Sequence, residues 1–165
     1  MGSVYDAPTM GINASASVRR LLREALSEGW PEQHLVEELR NVIPLDERRR
    51  NAVTNYRRGL KEKGVPLNKR RALTKKYAQR QYESRARTIA RTESQKLRSM
   101  IRLEGWKEEY GYSASRRWVA GPGACALCQA LHGTERLLWS DYNGFVRHPP
   151  AHPNCNCREE LILPQ

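Results

Sequence analysis

Residues 69–111, KRRALTKKYAQRQYESRARTIARTESQKLRSMIRLEGWKEEYG, contain no proline and no glycine before Gly105. Those two residues are the strongest interruptions of a helix. The stretch therefore reads as a single helix of up to about ten turns. Its apolar side would carry Leu73, Tyr77, Ala86, Ile89, Ala90, Leu97, Met100 and Trp106. A helix of this length needs neighbours, because tertiary packing stabilises it more than propensity does. The segments before it are expected to supply them.

Those segments are also helical in pattern, with apolar residues every three or four positions and charges between. Val18, Leu21, Leu22, Ala25 and Leu26 form one stripe, with Ser15 or Ser17 as its cap and Gly29 as its stop. Pro31 then stands where a first-turn proline belongs, ahead of a second stripe of Leu35, Val36, Leu39, Val42 and Ile43 that Pro44 closes. Asp46 caps a third helix whose buried side should be Ala52, Val53, Tyr56 and Leu60, and Gly64 ends it. Asn68 is the expected cap of the long helix. The reading is a mainly α protein: an N-terminal arm over 1–14, a basic helical region over 15–110, and a different kind of segment over 111–165.

In that last segment glycine, proline, serine and tryptophan become common. The runs RRWVAGPG from Arg116 and REELILP from Arg158 read as strands. The segment has too few apolar residues to fold unaided and needs a staple. All four cysteines lie here, as Cys125, Cys128, Cys155 and Cys157, with His152 three positions before Cys155. A two-residue spacer lets a knuckle place both sulfurs of Cys125 and Cys128 on one ion, and tetrahedral zinc takes four thiolate or imidazole ligands. The second pair comes from His152, Cys155 and Cys157, of which only two are needed; spacing leaves the choice open. One structural zinc ion is thus the expected cofactor of a small α+β module. Disulfides would need an oxidising compartment that nothing in the sequence indicates. His132 and His148 read as surface or packing residues, and Asp141 and Asn143 as parts of a turn.

A cysteine-rich donor set favours a closed structural site over a catalytic one, which keeps a position open for water. The protein is therefore read as a non-enzyme. The rival reading is a zinc-dependent nuclease or DNA-processing factor, in which a histidine beside the metal activates water; it lacks a second metal set.

Charge narrows the partners. The formal net charge is +11 with 29 Lys and Arg against 18 Asp and Glu, and the basic excess lies between Asp46 and Arg117. Such a surface attracts polyanions, with contact that weakens steeply with salt. Tyr77 and Tyr82 fit helix packing better than base stacking, and no residue is singled out for DNA contact. No run is apolar enough for a signal peptide or a membrane span, so a soluble, cytosolic protein without membrane contact is expected.

Three motifs carry a resemblance. RARTIARTESQ at 85–95, RRWVAGPGACALCQALHG from Arg116, and PPAHPNCNC ending at Cys157 together resemble the phage Mu F-like minor head proteins of tailed phages, over about residues 45–160. Members carry an Ala-Arg-Thr-Glu run on a long helix, here Ala90 to Glu93, and a Trp-containing strand, here Trp118. They then carry a Cys-x-x-Cys-x-x-Leu-x-Gly knuckle, matched by Cys125, Cys128, Leu131 and Gly133. Their terminal Pro-Pro-x-His-Pro-x-Cys-x-Cys run is matched from Pro149 through His152 to Cys157. The family usually has an acidic residue near Gly121–Gly123 and an arginine between the last two cysteines; this chain has GPGA and Asn156.

The resemblance implies a head morphogenesis component acting in DNA packaging or ejection. It would work in host cytoplasm during assembly and then in the virion interior near the portal vertex. The implied partners are the portal protein, a scaffold or major capsid protein, and packaged DNA bound without sequence preference. With the chain ending soon after the module, an appended enzyme is not expected. Arg91 and Glu93, two apart on a helix, cannot pair with each other. They are expected to anchor the module to the helical part through backbone groups or an opposite charge such as Arg117.

Overall fold

The computed structural model describes residues 16–164, so the arm expected over 1–14 and the capping role of Ser15 lie outside the described residues. Among the described residues five helices and three strands follow one another: α1 (Ala16–Ser27), α2 (Glu32–Val42), α3 (Glu47–Glu62), α4 (Leu67–Tyr110), β1 (Ser115–Val119), α5 (Ala126–Leu131), β2 (Glu135–Leu137) and β3 (Arg158–Ile162). The protein is mainly α with one small sheet. It divides into two compact units between Ala90 and Arg91, within α4.

In the first unit the glycines act through the backbone. Gly29 takes a φ of +65, and the Trp30 N–H reaches back to the Ala25 carbonyl at 2.8 Å. Gly64 repeats the device with a φ of +67, the Val65 N–H donating to Leu60 and its own N–H to Lys61, both at 3.0 Å. These left-handed glycines satisfy carbonyls that a helix end leaves open. Pro31 sits one position earlier than a first-turn proline, as the residue before α2, with φ −64 and ψ 149. Ile43 is already extended at φ −91 and ψ 132, as a residue before proline prefers.

Asp46 caps α3 by accepting from the Arg49 N–H at 2.9 Å, and its other carboxylate oxygen takes the guanidinium groups of Arg49 and Arg85. The amide hydrogen bond and the two cations lower its pKa from 3.8 to about 2, against the opposing effect of burial. Asn68, in contrast, does not cap α4: the helix starts at Leu67, so Asn68 already lies in the first turn. Pro66 makes that start possible, since its carbonyl accepts the Arg70 N–H at 2.8 Å.

The core of this unit joins α1 (Val18, Leu21, Leu22, Ala25) and α2 (Leu35, Val36, Leu39), with Ile43, to Ala86, Ile89 and Ala90 of α4. Leu26 and Val42 of the expected stripes stay partly or largely outside it. The expected buried side of α3 is only half-covered: Ala52, Val53, Tyr56 and Leu60 are all intermediate and no residue of α3 is buried. A helix pressed against a single neighbour cannot be fully covered. Tyr56 stacks on Tyr77 with centroids 4.4 Å apart and an interplanar angle of 17°, so α3 and the start of α4 make a two-helix hairpin.

The second unit is an antiparallel sheet in the order β2-β1-β3 with the end of α4 and the short α5. β1 pairs Arg117 with Glu135 of β2 and Trp118 with Glu159 of β3. Arg116 and Trp118, two apart on one face of β1, are both buried. Trp118 packs in a core with Cys128, Leu131, Tyr142, Cys155 and Cys157, its ring edge-on to Tyr142 at 5.1 Å. A second small cluster joins Leu103 to Ala114 and Leu138, flanked by Trp106, Tyr110 and Leu161.

Candidate metal centre

Cys125 is the residue before α5, with φ −70 and ψ 169. Cys128 lies one turn on, and its side chain enters the core beneath Trp118. The Cys125 sulfur accepts backbone amides of Cys128 and Leu127, which hold its thiol below the usual range, so it favours thiolate. Burial and neighbouring thiols push the Cys128 thiol up. Backbone amides of Cys157 and Ala151 favour the Cys155 thiolate and outweigh its burial.

His152 completes one side. Its Nδ1 is 3.0 Å from the Pro153 carbonyl, which leaves Nε2 facing the sulfurs of Cys125 and Cys128, 3.3 Å from each. The Pro153 contact and the nearby thiols raise the imidazole's pKa. A backbone partner on the far nitrogen is the usual way a ligating histidine is oriented. Cys128 Sγ lies 3.8 Å from Cys155 Sγ. The donors form two triads sharing Cys128: Cys125, Cys128 and His152, and Cys128, Cys155 and Cys157, with the atoms of each triad within 4.8 Å of one another.

These separations fit a four-coordinate thiophilic ion. Bonds of about 2.3 Å to sulfur and about 2.0 Å to nitrogen give tetrahedral edges of about 3.8 Å between sulfurs and about 3.5 Å between sulfur and nitrogen. A disulfide needs sulfurs about 2.05 Å apart, and all four cysteines are free thiols. The cluster can hold a metal ion; the five donors exceed a tetrahedral shell by one.

The chain around the donors is tightly fitted. A Cβ on Gly121 would stand 2.2 Å from the Asn156 carbonyl oxygen, so the loop after β1 approaches the Cys155–Cys157 backbone as only glycine allows. On α4, Thr92 Oγ1 accepts the Asn154 N–H at 3.1 Å and Gln95 Nε2 donates to the Cys157 carbonyl at 2.7 Å. Thr92 and Gln95, on either side of Glu93, thus make backbone contacts of the kind expected of Arg91 and Glu93. Glu93 is buried, and desolvation raises its pKa against the pull of Lys96; Arg91 is exposed. Arg117, the expected opposite charge, instead pairs with Glu135 at 2.6 Å on the adjoining strand.

Other residues find plain roles. Asn143 Oδ1 accepts the amides of Phe145 and Val146, closing the expected turn. His132 Nδ1 accepts the Ala120 N–H at 3.2 Å, and His148 is half-buried, with burial lowering its pKa. One important group had no signal in the sequence. Arg116 is fully buried, bonded to Glu159 at 2.6 Å and to the Ser140 carbonyl at 2.6 Å, and lies 5.0 Å above the Tyr142 ring. The pairing of β1 with β3 brings Glu159 to Arg116 across 43 residues of chain.

A helical region continued into a small sheet module with a Cys/His cluster in its core defines a class: an α protein closed by a metal-capable knuckle. The family described as Phage Mu protein F like protein matches residues 16–160, and the chain belongs to it. Membership points to phage head morphogenesis and to the virion, in a family that is typically structural. No curated protein and no solved structure matches the chain. Among the described residues, no helix is long and apolar enough to cross a membrane.

Proposed function

We infer that this protein is a non-enzymatic minor component of a tailed-phage head, whose C-terminal module is stapled by one structural zinc ion. The observation that carries the reading is the convergence of Cys125, Cys128, His152, Cys155 and Cys157 at the core of the second unit, in a chain from this family. Three of those donors are buried, and Trp118, Leu131 and Tyr142 pack among them. Zinc suits a set of thiols and one imidazole, and it would supply the folding free energy that so small a core lacks. Arg116 and Glu159 hold β1 to β3, and Thr92 and Gln95 hold the Cys155–Cys157 segment.

In this role the protein works near the portal vertex, in packaging or ejection, against the portal protein, scaffold or major capsid protein and the packaged DNA. The net charge of +11 supports phosphate contact without base reading. The test is mass spectrometry of purified heads from the phage that encodes it, with wild type and Cys128→Ser compared. Wild type is expected in mature heads and the variant depleted. Absence of the wild-type chain from heads, or metal-dependent cleavage of plasmid DNA by the purified protein, would overturn the reading.

A further inference from the structure

The positive charge is concentrated in one structural element. The α3–α4 hairpin over residues 47–85 holds fourteen of the 29 Lys and Arg but only three of the 18 Asp and Glu, whereas the chain as a whole is +11. This arm has no buried residue along its length. Each of its helices carries a cationic stripe of identical spacing, i, i+7 and i+11, which places the three residues on one line of a helix surface. On α3 the stripe is Arg50, Arg57 and Lys61; on α4 it is Lys69, Lys76 and Arg80. All six are exposed. Eleven residues at the helical rise make each stripe about 16 Å long, enough to follow several successive phosphates.

We propose that this hairpin is the DNA-contacting arm of the protein, and that its exposed cations bind the phosphate backbone of duplex DNA without reading sequence. The proposal rests on the DNA-contact reading above and assigns it a surface. Duplex DNA fits better than an acidic protein. A protein interface needs an apolar centre that excludes water, and Leu67 is the arm's one exposed large hydrophobic residue among those described. Beside the α3 stripe stands the exposed Thr54, four residues after Arg50 and three before Arg57, a phosphate hydrogen-bonding type. The Asp46 clamp on Arg49 and Arg85 and the Tyr56–Tyr77 stack hold the two helices together, so the stripes are presented on a fixed scaffold.

The test uses the full chain and a fluorescent 30-base-pair duplex of arbitrary sequence, with anisotropy measured from 50 to 200 mM salt. One variant replaces Arg57, Lys61, Lys69 and Lys76 by Gln; the control replaces Arg20, Arg23, Arg136 and Arg158 by Gln, which removes the same charge outside the arm. Circular dichroism confirms that both retain helix. Wild type and control should weaken by about a hundredfold or more over that salt range, as four or more phosphate contacts require. The arm variant should bind at least about a hundredfold more weakly at 50 mM, with a salt slope smaller by about 4. Equal loss in both variants, or unchanged binding by the arm variant, overturns the assignment of the surface and leaves DNA contact standing. Failure of wild type to bind at 50 mM overturns both, and a head component without DNA contact remains.

Discussion

Gly121→Ala tests how the loop after β1 and the Cys155–Cys157 backbone fit together. The added methyl would lie 2.2 Å from the Asn156 oxygen, 2.8 Å from its carbonyl carbon and 3.0 Å from its Cβ. An ordinary carbon–oxygen contact needs about 1 Å more, and the obstructing atoms are mostly backbone, which cannot swing aside. Overpacking of this kind costs about 1–3 kcal/mol and sometimes more; the expectation is the upper end, about 3 kcal/mol. Asn156 lies between two donors, so its displacement carries Cys155 or Cys157 with it. A metal shell tolerates displacements of about 0.2 Å, far less than the methyl demands. The variant should therefore lose metal to a chelator much faster than wild type, as well as melt earlier. Gly123→Ala is the control: its φ of +70 imposes backbone strain, but nothing lies within 4 Å of the added carbon. It should cost about 1–2 kcal/mol and leave metal release unchanged. Equal metal retention by Gly121→Ala and wild type would refute the reasoning.

Three further outcomes are expected. Asp46→Ala should destabilise the first unit by about 1–2 kcal/mol through loss of the α3 cap. Because the folded pKa of Asp46 is lowered from 3.8 to about 2, its contribution is present above pH 3.8 and disappears as pH falls from 3.8 towards 2; acid titration of helicity with and without Asp46 checks this. Arg116→Leu should cost about 3–5 kcal/mol in a chemical melt, since Glu159 is left buried and unpaired, while the double variant Arg116→Leu with Glu159→Leu should recover most of the loss. Gln95→Leu should cost about 1–3 kcal/mol by stranding the Cys157 carbonyl, and hydrogen exchange should rise in β3.

The sequence was most legible where a signal is local. The uninterrupted run from Lys69 announced α4, which indeed reaches Tyr110, and Gly29, Gly64 and Asp46 marked ends through their own backbone and side-chain chemistry. Stripe positions identified the α1–α2–α4 core almost residue by residue. The α3 stripe misled on depth, because periodicity reports which side is apolar and not how many neighbours cover it. α5 and β2 are too short for any period to develop, and β2 is exposed at all three positions. The cysteine spacing picked out residues that the fold brings together, but not which four would complete a metal shell, since that depends on the fold of the 149–157 segment. Arg116 reads as one more surface cation; its burial follows from Glu159, 43 residues away.

The most direct measurement is the metal content of the purified, untagged chain by elemental mass spectrometry, paired with thermal melts before and after strong chelation. The prediction is one tightly held zinc per chain, and loss of the C-terminal fold when it is removed while the α1–α2 core persists. A metal-free chain whose C-terminal module melts identically with and without chelator would contradict the central claim that a bound ion staples this module.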